Sequence, residues 1–163
     1  MEPIKTLAGI LRFFGWVSIA IGFLFFIPAV LTQTVSLLLS LSTTQRIISG
    51  LVFLSLAQGL SKKEKWAFYI GFIIFSLFFL QAILKIFFAG FSFLLVISFG
   101  FDILFFFLLI KGKQQFIEQP KERISQWFRK PHFIIVVIGT LISYIISGVA
   151  FSLLEGVTIF QVL

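Results

Sequence analysis

The sequence predicts an all-α fold, a polytopic integral membrane bundle of about five transmembrane helices with a cytoplasmic amphipathic helix. Three observations predict it. First, 60% of the 163 residues are hydrophobic and only 12% are charged, which leaves too little polar surface for a water-soluble domain. Second, the apolar residues form long uninterrupted runs. Third, the basic residues gather on one side of those runs.

The 13 lysines and arginines follow the positive-inside pattern of membrane proteins. When the chain is divided at its apolar runs, all of them except Arg46 and Lys85 fall on the same side. We therefore expect a multi-pass protein of the cell (inner) membrane, with its amino terminus in the cytoplasm and its carboxyl terminus outside. The residues on the cytoplasmic side are Lys5, Arg12, Lys62, Lys63, Lys65, Lys111, Lys113, Lys121, Arg123, Arg129 and Lys130.

The apolar runs approach or exceed the roughly 18 residues that a helix needs to cross a hydrocarbon core. They are apolar on every face, whereas strands of a membrane barrel would alternate. We expect a single transmembrane domain over 1–163. Its predicted spans are about 8–31, 46–61, 66–88, 91–110 and 132–154.

The first run is longer than the core of a signal peptide and no small-residue cleavage site follows it, which favours a retained anchor. Pro28 is expected to mark its outer end. The next stretch, 31–45, mixes leucines with Ser, Thr and Gln. We interpret it as an outer loop with a short interfacial or re-entrant helix at about 34–41; the alternative is a long, tilted second span that begins near Val35.

The two later connections predict hairpins. Residues 61–65, Ser-Lys-Lys-Glu-Lys, are too few for anything but a tight cytoplasmic turn between the second and third spans. Trp66 and Tyr69 follow directly, where amphipathic rings form the aromatic belt of the membrane surface. On the outer side, Gly90 can supply the turn between the third and fourth spans.

Residues 111–131 are the longest polar stretch. Pro120 suits the first turn of a helix, and apolar side chains at Ile124, Trp127 and Phe128 recur at helical spacing until Pro131 ends the pattern. This predicts a surface-lying amphipathic helix, which either anchors the chain to anionic inner-leaflet phospholipid or forms a specific headgroup site. The candidate headgroup contacts are Lys62, Lys63, Lys65, Lys121, Arg123, Arg129 and Lys130. A nucleic-acid partner is not expected, because these charges flank apolar runs.

The sequence lacks the residue sets that enzymes use. It has no Cys and one histidine, His132, so it offers neither a metal-ligand cluster nor a nucleophile with its base. No Gly-rich phosphate loop precedes a helix. We therefore expect a non-enzymatic chain without a metal or a cofactor.

Two ionisable residues, Lys85 and Asp102, lie inside apolar runs, where a charge is costly. An antiparallel hairpin would place them on adjacent helices at depths that differ by roughly 10 Å. One interpretation is a polar pocket between helices. The other is a lysine that snorkels to the interface and a neutral aspartic acid bonded to a neighbouring helix.

Small residues recur at helical spacing on the first and last runs. Such faces let helices approach closely, either inside the bundle or in a homo-oligomer. The residues are Gly15, Ser18 and Gly22 on the first run, and Gly139, Ser143 and Ser147 on the last.

The stretch 57–116 resembles the membrane half of bacterial aminoacyl-phosphatidylglycerol (lysylphosphatidylglycerol) synthases, which also flip their product. The matching elements are Ala57-Gln58-Gly59-Leu60, Lys62-Lys63-Glu64-Lys65-Trp66-Ala67, Leu84-Lys85 and Lys111-Gly112-Lys113-Gln114-Gln115-Phe116. The resemblance implies a lipid-handling membrane module. The soluble domain that carries aminoacyl transfer in that family has no counterpart in this sequence.

A weaker resemblance concerns the last run. Residues 137–142 and 154–157 are similar to the outer helix of a potassium channel, although no selectivity-filter sequence follows. Three hypotheses result: a phospholipid-handling protein, flippase-like or lipid-binding; a structural or assembly subunit of a larger membrane complex; and a channel-like fragment.

Overall fold

A computed structural model describes residues 2–31, 37–89, 93–117 and 123–162 of the chain. These residues fold into α-helices without any strand among them, so the predicted all-α class is confirmed. In order, the helices are α1 Pro3–Leu31, α2 Leu37–Ser61, α3 Lys65–Ala89, α4 Phe93–Lys111, α5 Gln114–Ile117, α6 Ile124–Trp127 and α7 Pro131–Val162.

Two stretches within the described residues, Pro3–Pro28 and Leu39–Ser61, are long and apolar enough to cross a membrane. Shorter apolar stretches, Lys65–Leu80 and Pro131–Ser147, lie within α3 and α7. The described part of the chain thus contains two candidate spans by length and composition.

The polar stretch after the first span belongs to α2 rather than to a loop. A separate short helix at about 34–41 is wrong for the described residues, because α2 runs without a break from Leu37 to Ser61. The hydroxyl of Thr43 donates to the carbonyls of Leu39 and Ser40, 2.9 and 3.0 Å away, and Ser42 donates to Leu39. Because these hydroxyls are satisfied within the helix, polar residues do not interrupt it. Residues 32–36 lie outside the described part.

Two of the prolines begin helices. Pro3 and Pro131 are the first residues of α1 and α7, where a missing N–H is no loss. Pro28 lies inside α1, which continues to Leu31, so the expectation that it marks the helix end is off by one turn. Pro120, where a helix is expected to begin, lies outside the described residues; the described part of that helix is a single turn, Ile124–Trp127, which follows the extended Arg123 with φ −73° and ψ 142°.

The turn between α2 and α3 is a Schellman motif. The N–H of Glu64 donates to the carbonyl of Gly59 and the N–H of Lys63 to that of Leu60, at 3.0 and 2.9 Å. Lys63 takes the left-handed conformation that this motif requires, with φ 55°. The N–H of Ala67 then donates to the carbonyl of Glu64. Glu64 is therefore the residue at which one helix has ended and the next begins.

The chain forms two compact units, of which the first comprises Met1–Ile10 and Leu56–Phe133. Within it, α3 and α4 are an antiparallel pair held by phenylalanines. The ring centroids of Phe79 and Phe99 are 5.0 Å apart, and those of Phe75 and Phe105 are 5.2 Å apart. From the first pair to the second, the contact moves back along α3 and forward along α4, as it must in an antiparallel hairpin. The two pairs therefore fix the register of α3 against α4.

The second unit comprises Leu11–Ser55 and Ile134–Leu163. Here α1 and α2 are in direct backbone contact, since a Cβ at Gly50 would lie 2.7 Å from the carbonyl oxygen of Gly15. A Cβ at Gly22 would similarly lie 2.6 Å from Ile47. Glycine at these positions is what allows the two helices to approach so closely.

We expect Gly50→Ala to destabilise the protein by about 1–3 kcal/mol, because the added methyl group would meet backbone as well as Ile19 and would force the helices apart. The matched control is Gly9→Ala, where nothing lies within 4 Å of the new Cβ. That substitution is expected to be neutral or stabilising by up to about 1 kcal/mol. Thermal unfolding of both variants in detergent micelles checks this; equal midpoints would contradict it.

Candidate functional site

Glu64 lies at the centre of a polar and aromatic cluster in the first unit. Its carboxylate accepts a hydrogen bond from the indole Nε1–H of Trp66 and forms an ion pair with Lys130, with 3.5 Å between Nζ and Oε1. Trp66 is fully buried. Both charged side chains of the ion pair are mostly shielded from solvent, so their attraction is screened less than that of an exposed pair.

The ion pair joins the α2–α3 turn to the segment 123–133, which we call the strap. Aromatic rings reinforce this connection. Trp66 meets Phe133 edge to face with centroids 5.7 Å apart, and Tyr69 stacks on Trp127 at 6.0 Å. Trp127 in turn contacts Phe133 at 6.1 Å. These contacts hold the strap against the start of α3.

The strap is amphipathic although it is not a long helix. Ile124 is 65% and Phe128 60% exposed, and the basic residues Arg123 and Arg129 beside them are exposed as well. Exposed large apolar side chains next to cations are typical of a segment that lies at a lipid surface.

The predicted headgroup contacts fall into two groups by their exposure to solvent. Lys62, Arg123 and Arg129 are exposed, whereas Lys63, Lys65 and Lys130 are half-buried. Lys121 lies outside the described residues. The ion pair between Lys130 and Glu64 joins the two segments, the α2–α3 turn and the strap, that carry these cations.

Sequence reasoning missed Glu64, although a signal was present. It is the single acid among three lysines in the turn 61–65. An acid that interrupts a basic loop weakens its attraction to an anionic surface, so it calls for a structural reason. The structure supplies that reason in Trp66 and Lys130.

Asp102 lies on the inward face of α4. It is 7% exposed and shares that face with Phe105 and Leu109, while Ile103 and Phe107 on other faces are exposed. The Phe79–Phe99 and Phe75–Phe105 pairs place it level with about residue 77 of α3, next to Ser76. The hydroxyl of Ser76 donates to the carbonyl of Phe72 at 2.8 Å.

Lys85 lies on α3, but its side chain is outside the described part of the structure. The ring register puts its backbone about eight residues beyond the level of Asp102, or about 12 Å along the helix axis. This separation is close to the depth difference expected from the sequence, and it is too long for a direct ion pair between fixed backbones. The predicted pocket would therefore need a further group or water between the two.

The small-residue faces lie at helix contacts within the second unit. Gly15 and Gly22 face α2, and Ser18 between them is half-buried. On α7, a Cβ at Gly139 would lie 2.6 Å from Val52 of α2.

Farther along α7, Ser147 accepts a hydrogen bond from the Gln45 amide of α2 at 2.6 Å. The hydroxyl of Ser143 is buried and has no hydrogen-bond partner.

No group of three or more His, Asp or Glu side chains that could hold a metal occurs among the described residues. Comparisons of the chain with family models, with curated proteins and with solved structures find no match.

We expect Glu64→Gln to loosen the strap, because the amide can still accept from Trp66 but no longer pairs with the Lys130 charge. A loss of about 1 kcal/mol would raise the open fraction roughly fivefold. Trypsin cleavage between Arg129 and Lys130 measures that opening. Glu2→Gln is the control, since it removes an exposed ion pair with Lys5 (3.1 Å) and should leave this cleavage rate unchanged. Equal cleavage rates in the two variants would contradict the role of Glu64 in holding the strap against the α2–α3 turn.

Proposed function

We propose that this chain is a small, non-enzymatic, multi-pass protein of the inner membrane that handles phospholipids. The observation that carries the proposal is the buried carboxyl group of Asp102 on the inward face of an otherwise apolar helix. An acid in such a position is costly, and acids within membrane helices commonly mark a binding or transport step. The basic and aromatic cluster around Glu64 would meet lipid headgroups at the cytoplasmic surface.

Membrane embedding through five helices is supported by their lengths. Besides the two candidate spans in α1 and α2, α3 has 25 residues, α4 has 19 and α7 has 32. At 1.5 Å per residue, even the shortest is about 28 Å long and approaches the thickness of the hydrocarbon core.

The surfaces of these helices also support a lipid environment. Large apolar side chains stand exposed along α1, α4 and α7, including Trp16 at 64% and Leu24 at 70%. Contiguous apolar surface on this scale is rare in soluble monomers, where it would drive aggregation. Around a membrane span, the same side chains would face acyl chains.

The lipid-handling role rests on complementary chemistry. Exposed Lys62, Arg123 and Arg129 can attract anionic headgroups, each contributing about 1 kcal/mol near an anionic leaflet. Asp102, with Lys85 farther along the hairpin, would provide polar groups for a headgroup that moves between helices. The resemblance to lysylphosphatidylglycerol synthases points to the same class of ligand.

The absence of cysteine makes the topology directly testable. We expect single cysteines introduced at Ser61 and Ser125 to react in intact cells only with a membrane-permeant maleimide, because both lie on the proposed cytoplasmic side. A cysteine at Leu37, the first residue of α2, is expected to react with an impermeant maleimide as well. Impermeant labelling at Ser61 or protection at Leu37 would contradict the proposed orientation.

We expect the purified protein to accelerate translocation of fluorescent phosphatidylglycerol in liposomes, and Asp102→Leu to reduce that rate to the protein-free level. Ile103→Leu is the matched control, because Ile103 is exposed and next in sequence. Dithionite quenching of the outer leaflet follows the rate. Wild-type rates for Asp102→Leu would contradict the role of Asp102, and no acceleration by any variant would favour the assembly-subunit hypothesis.

A further inference from the structure

Among the described residues of the first unit, three buried polar atoms have no hydrogen-bond partner in the protein. They are Nε1 of Trp127, Nδ1 of His132 and Oε1 of Gln115. A buried polar atom without a partner costs about 1–3 kcal/mol. Trp66 shows the contrast, because its indole N–H has a carboxylate partner in Glu64.

The three residues lie beside one continuous line of aromatic contacts. Phe116, next to Gln115, is 5.2 Å from Phe68, and the line passes through Tyr69 to Trp127. Phe133, next to His132, closes it at 6.1 Å from Trp127. Two of the three residues, Trp127 and His132, thus belong to the strap, and the ring of Trp127 contacts Phe133, which follows His132.

We propose that the strap carries a binding site for the phosphate headgroup of a phospholipid, in which the indole N–H of Trp127 and the imidazole of His132 donate to phosphate oxygens. A phosphodiester offers several strong acceptors, which is what an indole N–H lacks here. Such a group lies at the level of the membrane where Trp side chains concentrate.

The ion pair between Glu64 and Lys130 acts as the latch of this site. In the closed arrangement, the Lys130 ammonium group is paired with the Glu64 carboxylate, with 3.5 Å between Nζ and Oε1. An arriving phosphate competes for the same cation, and with Lys130 drawn to the lipid the strap can lift from the α2–α3 turn. Exposed Arg129, next in sequence, adds a second positive charge to hold the headgroup.

Not all of the apolar surface of the strap packs against the protein. Phe128 is 60% exposed and meets Phe133 at 5.1 Å, so the strap has an outer apolar side that can enter the lipid interface. Lifting it would exchange protein contacts for lipid contacts of similar character. The site deepens the proposed function, since it specifies which groups bind the headgroup.

Native mass spectrometry of the full-length protein in detergent tests the site. Phosphatidylglycerol and diacylglycerol with the same acyl chains are added in parallel, so that only the phosphate headgroup differs. The wild-type protein is expected to retain several-fold more phosphatidylglycerol than diacylglycerol. Trp127→Phe keeps a ring against Tyr69 but removes the N–H, and we expect it to lower that ratio about three- to tenfold.

Two further variants make the test specific. Trp16→Phe changes a 64% exposed tryptophan in the second unit and is expected to leave the ratio at the wild-type value. Glu64→Gln opens the latch and is expected to raise phosphatidylglycerol retention. A soluble glycerol phosphate ester, added as competitor, distinguishes the lipid from a free phosphate: failure to displace the lipid supports a phospholipid site, and displacement at equal concentration overturns it.

A wild-type ratio in Trp127→Phe, or an equal fall of both lipids, overturns the headgroup site. That result is separable from the proposed function, because translocation in liposomes depends on Asp102 and is measured independently. If the wild-type protein accelerates translocation but Trp127→Phe keeps the wild-type ratio of phosphatidylglycerol to diacylglycerol, only the strap site is contradicted. A lower ratio in Trp127→Phe supports the strap site, whatever the translocation rate.

Discussion

Polar groups carried by apolar helices must find their partners inside the protein, and the rest of this structure depends on that constraint. It explains why α2 continues through its Ser- and Thr-rich start, since Thr43 returns its hydroxyl to backbone carbonyls. It explains the side-chain bond between Gln45 and Ser147. It also gives weight to the exceptions, because a buried N–H such as that of Trp127 is left without the compensation that its neighbours have.

The Glu64 cluster shows how one acid can organise a basic surface. Backbone hydrogen bonds fix the turn between α2 and α3. Glu64 follows the left-handed Lys63 and directly precedes the first residue of α3. From there its carboxylate reaches Trp66 and Lys130. Lys130 of the strap is thus held at the basic turn 61–65, where the fields of neighbouring cations add.

Much of the helical architecture could be predicted from the sequence, because long apolar runs have few alternatives to helix. The predicted run 66–88 became α3, Lys65–Ala89, and 91–110 became α4, Phe93–Lys111. Mixed composition left more than one interpretation open: Leu37 to Gln45 is helix, as the alternative of a long second span predicted, with its hydroxyls bonded within the helix. The described part of the helix expected from Pro120 is one turn, which follows the extended Arg123. Local backbone geometry decided both cases, and composition does not determine it.

For the candidate sites, the sequence by itself determined the inventory: an acid and a lysine within apolar runs, a set of basic residues on one side, and small residues at helical spacing. Those features follow from composition and period, which are local. The tertiary structure alone decided which residues meet. It placed Asp102 near the level of Ser76 rather than of Lys85, joined Lys130 to Glu64, and set Gly50 against Gly15. Such contacts depend on helix register and on the close approach of backbones, which involve residues far apart in the chain.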